Sequence, residues 1–134
     1  MNDHQKKVKE FMAVFGQSAP ESFSPEVFPG ILRVSLIEEE AKEFRAAVAA
    51  QDWVEVVDAI CDLLYVTYGA AVALGVDIEP FFSEVHRSNM SKLDKNGRPI
   101  YRADGKVIKS SDWSPPDILG LLADQTDVPF PSLP

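Results

Sequence analysis

Residues 36–69 read LIEEEAKEFRAAVAAQDWVEVVDAICDLLYVTYG, and the fold turns on how their acids are phased. At about 100° of rotation per residue, Glu39, Glu40 and Glu43 occupy one arc of a first helix together with Leu32, Leu36 and Ala47. Glu38, Lys42 and Arg45 take the opposite side, where a merely solvated charge run would have put every acid. On the next helix Asp58, Asp62 and Glu55 lie beside an apolar row of Val54, Val57, Cys61, Leu64 and Tyr68. The phasing therefore predicts two acidic edges flanking two core stripes, with the acids of one helix facing those of the other.

Carboxylates three or four residues apart on a helix repel one another. Drawn partly out of water without a partner, they would take up protons, whereas an oxygen-preferring dication would keep them ionised and bind them together. Glu39, Glu40, Glu43, Asp58 and Asp62 are accordingly the expected ligands of a metal cage. An all-carboxylate donor set favours Mg²⁺, with Mn²⁺ as a substitute, over zinc or copper.

Composition limits what such a cage can belong to. The chain has 134 residues and a formal charge of −8, which predicts one domain and leaves no cationic excess to neutralise a nucleic-acid backbone. The single cysteine, Cys61, cannot form an internal disulfide and is expected in the core. The opening MNDHQKKVKE lacks an apolar signal segment, and the run from Ala59 to Gly75 holds Asp62 and falls short of the roughly 20 residues a bilayer requires. No membrane association and a cytoplasmic location are the resulting expectations.

Around the acidic pair the punctuation is helical. Val8, Phe11, Met12 and Phe15 recur at helical spacing from about Asn2 to Phe15, and Gly16 ends the run. Residues 17–30, QSAPESFSPEVFPG, predict a loop tucked down by Phe23 and Phe28. The first acidic helix should span Ile31 to Ala50, with Gln51 as a short link and Asp52 as the cap of an antiparallel partner. That partner is apolar nearly all round from Ala59 to Gly75, as befits a central bundle position or a subunit interface. A further helix is predicted from Glu79 to Leu93 with Phe81, Phe82, Val85 and Met90 buried, then a short hairpin pairing 100–103 with 106–109, then a turn or two of helix in SPPDILGLLAD and a Pro-rich tail. The fold class is thus all-α: an antiparallel bundle of about four to five helices with a hairpin-like arm, in one domain spanning 1–134. Within it, 1–16 is an N-terminal helix, 31–93 the helical core, and 94–134 the basic arm and tail.

Charge is uneven along this chain. Residues 87–109 hold Arg87, Lys92, Lys95, Arg98, Arg102, Lys106 and Lys109 against Asp94 and Asp104, a local +5 that leaves −13 elsewhere. An anionic ligand bridging metal and cationic arm would satisfy both, and polyphosphates are the common ligand of that kind.

EExxE at Glu39, Glu40 and Glu43, the acids before DLLYVTYG at 62–69, and the later EVHRSNMSK and RADGKVIK segments resemble the all-alpha nucleoside triphosphate pyrophosphohydrolases, the superfamily of MazG, the dimeric dUTPases and phosphoribosyl-ATP pyrophosphohydrolase. The likeness covers about residues 31–118 and is nearest to the small MazG-like members. It implies a homodimeric or homotetrameric helical bundle that uses Mg²⁺ to cleave a nucleotide between its α and β phosphates, giving the monophosphate and pyrophosphate. A house-cleaning or dUTPase-like role falls within that range.

The family's second motif is usually ExxD, and the register set by DLLYVTYG aligns its Asp with Asp62 and its Glu with Ala59. Asp58, four before Asp62 on the same edge, is the favoured replacement, with Glu55 held as a supporting or surface acid. By the same resemblance Glu39, Glu40, Glu43 and Asp62 are the catalytic acids, with Glu39 on a further ion or on the attacking water. Arg87, Asn89, Lys92 and Lys106 are the expected substrate contacts, the last from an arm that closes over the site. The different-class alternative is a non-catalytic helical oligomerisation or interaction module, in which the acids would stand in solvent.

Overall fold

A computed structural model of the chain describes residues 1–126; the expected Pro-rich tail lies outside the described residues. The elements in order are α1 (Asp3–Val14), a 3₁₀ turn (Pro25–Val27), α2 (Gly30–Ala50), α3 (Trp53–Leu74), α4 (Ile78–Met90), β1 (Ile100–Tyr101), β2 (Val107–Ile108) and α5 (Ile118–Asp124). The protein is all-α, its one sheet among the described residues being a two-stranded scrap. The chain divides into two compact units, Met1–Ile78 and Glu79–Pro134.

The first unit is a three-helix bundle of α1, α2 and α3. Its helix ends follow local chemistry. The Asn2 side chain accepts from the Gln5 amide and starts α1, while Asp52 accepts from the Glu55 amide and starts α3. Between α2 and α3 the chain reverses over Gln51, held left-handed at φ 54°, and Asp52. Arg33 lies against Gly69 and Glu40 beside Asp62, so α3 recedes as α2 advances and the pair is antiparallel.

The core is built on Val8 and Met12 from α1 with Val72 and Ala73 from α3, and Ala19, Phe28 and Tyr68 pack half-buried against it. Gln5 is fully buried: its amide nitrogen donates to the Val76 carbonyl at 2.6 Å and its oxygen accepts from the Ile78 amide at 3.0 Å, which ties α1 to the turn after α3. Along the 17–29 loop, the Ser24 amide donates to the Leu74 carbonyl at 3.0 Å.

The buried side of α3 is not the expected one. Ala59, Asp62, Val66 and Gly69 face inward, whereas Val54, Val57, Leu64 and Cys61 are exposed, Val57 to 61 %. Leu32 on α2 is likewise exposed, and that helix packs through Arg33, Leu36, Glu40, Phe44 and Ala47. The reason is steric: Ala59 and Gly69 let neighbouring helices come close, which the broad row of Val and Leu would not. An apolar residue is free to remain outside when a smaller one packs better. By length and composition alone α3, at 22 residues, is also long and apolar enough to cross a membrane, because Trp53–Val57 extend the apolar run that the sequence starts at Ala59.

The second unit joins α4, the hairpin and α5. Phe81 is buried, but Phe82, Val85 and Met90 are exposed, and α4 ends at Met90 rather than Leu93. The strands pair antiparallel, Ile100 with Ile108 and Tyr101 with Val107, around Asp104 and Gly105; each has two of the four residues expected. Glu84 is the staple of this unit. Its carboxylate accepts two bonds from Arg87 at 2.9 Å and one from the Asp117 amide at 2.9 Å, and these hold its pKa down to about 2. Arg87 also donates to Ser114 Oγ at 2.8 Å and the Pro115 carbonyl at 3.1 Å.

Gly75 closes α3 in the left-handed region at φ 79°, and a Cβ there would meet the Ser22 carbonyl oxygen, a backbone atom that cannot swing aside. Gly75→Ala should therefore destabilise the protein by about 2–3 kcal/mol in urea unfolding, whereas Gly97→Ala, with open space around it, should cost only the left-handed penalty of about 1 kcal/mol.

Candidate metal centre

Glu40 sits at the middle of the packed face of α2, Glu43 one turn further on, and Asp62 opposite them on α3. One carboxylate oxygen from each lies within 4.8 Å of the others, the one such group among the described residues. Glu40 Oε2 is shielded from solvent and has no hydrogen-bond partner. Burial raises the pKa of Glu40 first, followed by the charges of Glu43, Asp62 and Glu39 and a hydrogen bond with Glu43. Three hard oxygen donors around an orphaned buried oxygen fit a divalent cation of the Mg²⁺ or Mn²⁺ type.

Two of the five expected cage acids stand apart from this trio. Glu39 is exposed on the neighbouring edge, close enough to act on Glu40 through charge, and Asp58 is exposed one turn before Asp62. Glu55 is exposed as well, its amide occupied by the Asp52 cap. Within the second unit, Lys92 Nζ donates to Asn89 Oδ1 at 2.9 Å, Lys106 is exposed on the hairpin turn, and Arg87 is committed to Glu84, Ser114 and Pro115.

Arg33 is the feature that phasing of the acids did not find. It is 7 % exposed. Its Nε has no partner, one terminal nitrogen reaches only the Met12 thioether at 3.9 Å, and the other packs against Gly69. Burial lowers its pKa, but a guanidinium keeps its charge in proteins. The signals were present in the sequence as a lone cation seven residues before Glu40 on the same face and a helix-interior glycine at position 69. Arg33, Glu40 and Asp62 share a pocket of about 300 Å³ with Phe11, Met12 and Tyr65, and the Phe11 and Tyr65 rings meet edge to face at 5.7 Å.

Residues 8–89, which include the carboxylate trio and Arg33, match the family model of phosphoribosyl-ATP pyrophosphohydrolase. An uncharacterized protein of Acanthamoeba polyphaga mimivirus is 31 % identical over 108 residues, covering 77 % of this chain; the chain spans 41 % of that curated relative's length. The crystal structure of a candidate NTP pyrophosphohydrolase from Exiguobacterium sp. 255-15 is 26 % identical with a TM-score of 0.46, over 92 % of this chain and 94 % of that one.

Because the folded-state pKa of Glu40 is raised, its contribution to stability is present at acid pH and is lost as pH rises through that raised value. A cation should restore it. At pH 7.5, Mn²⁺ or Mg²⁺ at about one hundred times its Kd should stabilise the fold by about 2.7 kcal/mol in thermal melts. Glu40→Gln should raise the metal-free melting temperature and remove the response to metal; a wild-type melt indifferent to both ions would show that the trio is not a cation site.

Proposed function

The chain belongs to the phosphoribosyl-ATP pyrophosphohydrolase family, and on that premise we propose that it is a Mg²⁺-dependent nucleoside triphosphate pyrophosphohydrolase, with Mn²⁺ as a working substitute. Its substrate class is a nucleotide polyphosphate, and water adds across the anhydride between the α and β phosphorus atoms to leave the monophosphate and pyrophosphate.

The observation that carries this reading is the convergence of Glu40, Glu43 and Asp62 from two helices around a buried, unpartnered oxygen. These three side chains hold the cation. When bound, it supplies the charge neutralisation that phosphoryl transfer chiefly requires. Glu39, exposed on the adjoining edge, orients the attacking water and takes its proton, which then passes to solvent. Asp58, also exposed, completes the acidic rim as a further ligand on substrate binding. Asn89, Lys92 and Lys106 are the candidate phosphate or sugar contacts. Arg87 serves that end by fixing α4 to the 114–115 segment through its bonds to Ser114 and Pro115.

The outward row Val54, Val57 and Leu64 on α3 is proposed as the contact between copies in a homodimer or homotetramer, since an apolar strip of this kind is costly to leave in water. The test is pyrophosphate release from a panel of nucleoside triphosphates with Mg²⁺. Glu43→Ala and Asp62→Ala should each lower kcat/KM by about a hundredfold or more while the circular dichroism stays unchanged; full turnover in both variants would refute the scheme.

A further inference from the structure

We propose that Arg33 is the residue that reads the base, and that it selects nucleotides presenting a carbonyl oxygen, an oxo base, over those presenting an exocyclic amine. This rests on the polyphosphate of the substrate lying at Glu40, Glu43 and Asp62. Arg33 is seven residues from Glu40 on the same helix face, and Gly69 is seven from Asp62 on the facing one. Two turns of helix separate them, about 10 Å along the axis, and this is the scale on which the far edge of a base stands from its phosphates. Both ends line the same pocket.

The space between them suits a nucleoside. Phe11 and Tyr65 line that same pocket, meet edge to face and remain partly open, and exposed aromatic faces stack bases of any sequence. At the far end the guanidinium is buried with its Nε unbonded and a thioether as its nearest acceptor. A buried cation left this way is strongly disfavoured unless a ligand supplies acceptors. Gly69 preserves the arrangement: a Cβ there would come within 2.8 Å of the guanidinium nitrogen.

Arginine has donors and no acceptor. A uracil or hypoxanthine edge offers it a carbonyl oxygen, whereas cytosine or adenine in the same pose sets an amino group against a donor and leaves both unsatisfied. A well-made contact of this kind discriminates between bases by about 10- to 100-fold.

The experiment compares kcat/KM for dUTP against dCTP and for dITP against dATP, pairs that differ at the oxo or amino position, for the wild type and for Arg33→Gln, whose amide can donate or accept. The wild type should favour the oxo member of at least the better-used pair by about tenfold or more, and the variant should bring that ratio close to one while retaining the thermal shift with Mn²⁺. If Arg33→Gln fails to fold, Arg33→Lys, which keeps the charge but not the planar fork of donors, takes its place and should likewise bring the ratio down. Turnover with a wild-type ratio near one, a preference for the amino member, or a ratio unmoved in the folded variant each overturns the assignment of Arg33 and leaves the pyrophosphohydrolase reading standing. Inorganic tripolyphosphate cleaved as well as the nucleotides does the same, since no base would then be read. No turnover of any triphosphate, with no binding of a non-hydrolysable α,β-methylene analogue, removes both.

Discussion

A carboxylate oxygen enclosed between two helices without a partner is the constraint on which the first unit depends. Glu40 Oε2 occupies the seam of α2 and α3, crowded by Glu43 and Asp62. Such a group is unfavourable as an anion and chemically idle as a neutral acid. The chain nonetheless places it there, and small residues at Ala59 and Gly69 on α3 let the helices approach. Packing and chemistry therefore share one face, and the larger apolar side chains of α3 are left on the other.

The same seam carries an unpaired cation at its other end. Arg33 stands opposite in charge to Glu40 and Asp62 on one pocket, two helical turns from them, and Phe11 and Tyr65 line the same space. Their separation is too great for direct pairing, and each end lacks the partner that its burial calls for. A cation held by the acids, with a ligand that is anionic toward that cation, acceptor-bearing at the other end and flat in the middle, would satisfy both ends together, and a nucleotide has that form. An interaction module with solvated acids does not account for a half-buried Glu40 or for a buried guanidinium bonded only to a thioether.

Much of this was legible in the sequence. Helix limits followed from the breaker at Gly16 and the cap at Asp52, and the positions of Glu40 and Asp62 from helical phase. The side on which α3 packs was not legible, because a helix apolar nearly all round gives phase no contrast, and the choice fell to Ala59 and Gly69, whose smallness matters only once a neighbour approaches. Glu39 and Asp58 share an arc with the inward acids, yet lie at its edge, where a turn of a few tens of degrees decides between seam and solvent. Arg33 escaped notice because a search for clustered acids does not weigh a lone cation. In the second unit, Arg87 reads as a ligand-binding cation until Glu84, Ser114 and Pro115 are seen to occupy its donors.

The most direct measurement is anomalous scattering from crystals grown or soaked with Mn²⁺ at neutral pH. The account predicts a peak bonded to carboxylate oxygens of Glu40, Glu43 and Asp62, with the formerly orphaned Glu40 Oε2 or its geminal oxygen among the ligands. A fully occupied Mn²⁺ elsewhere, with no peak at those three side chains, would contradict it.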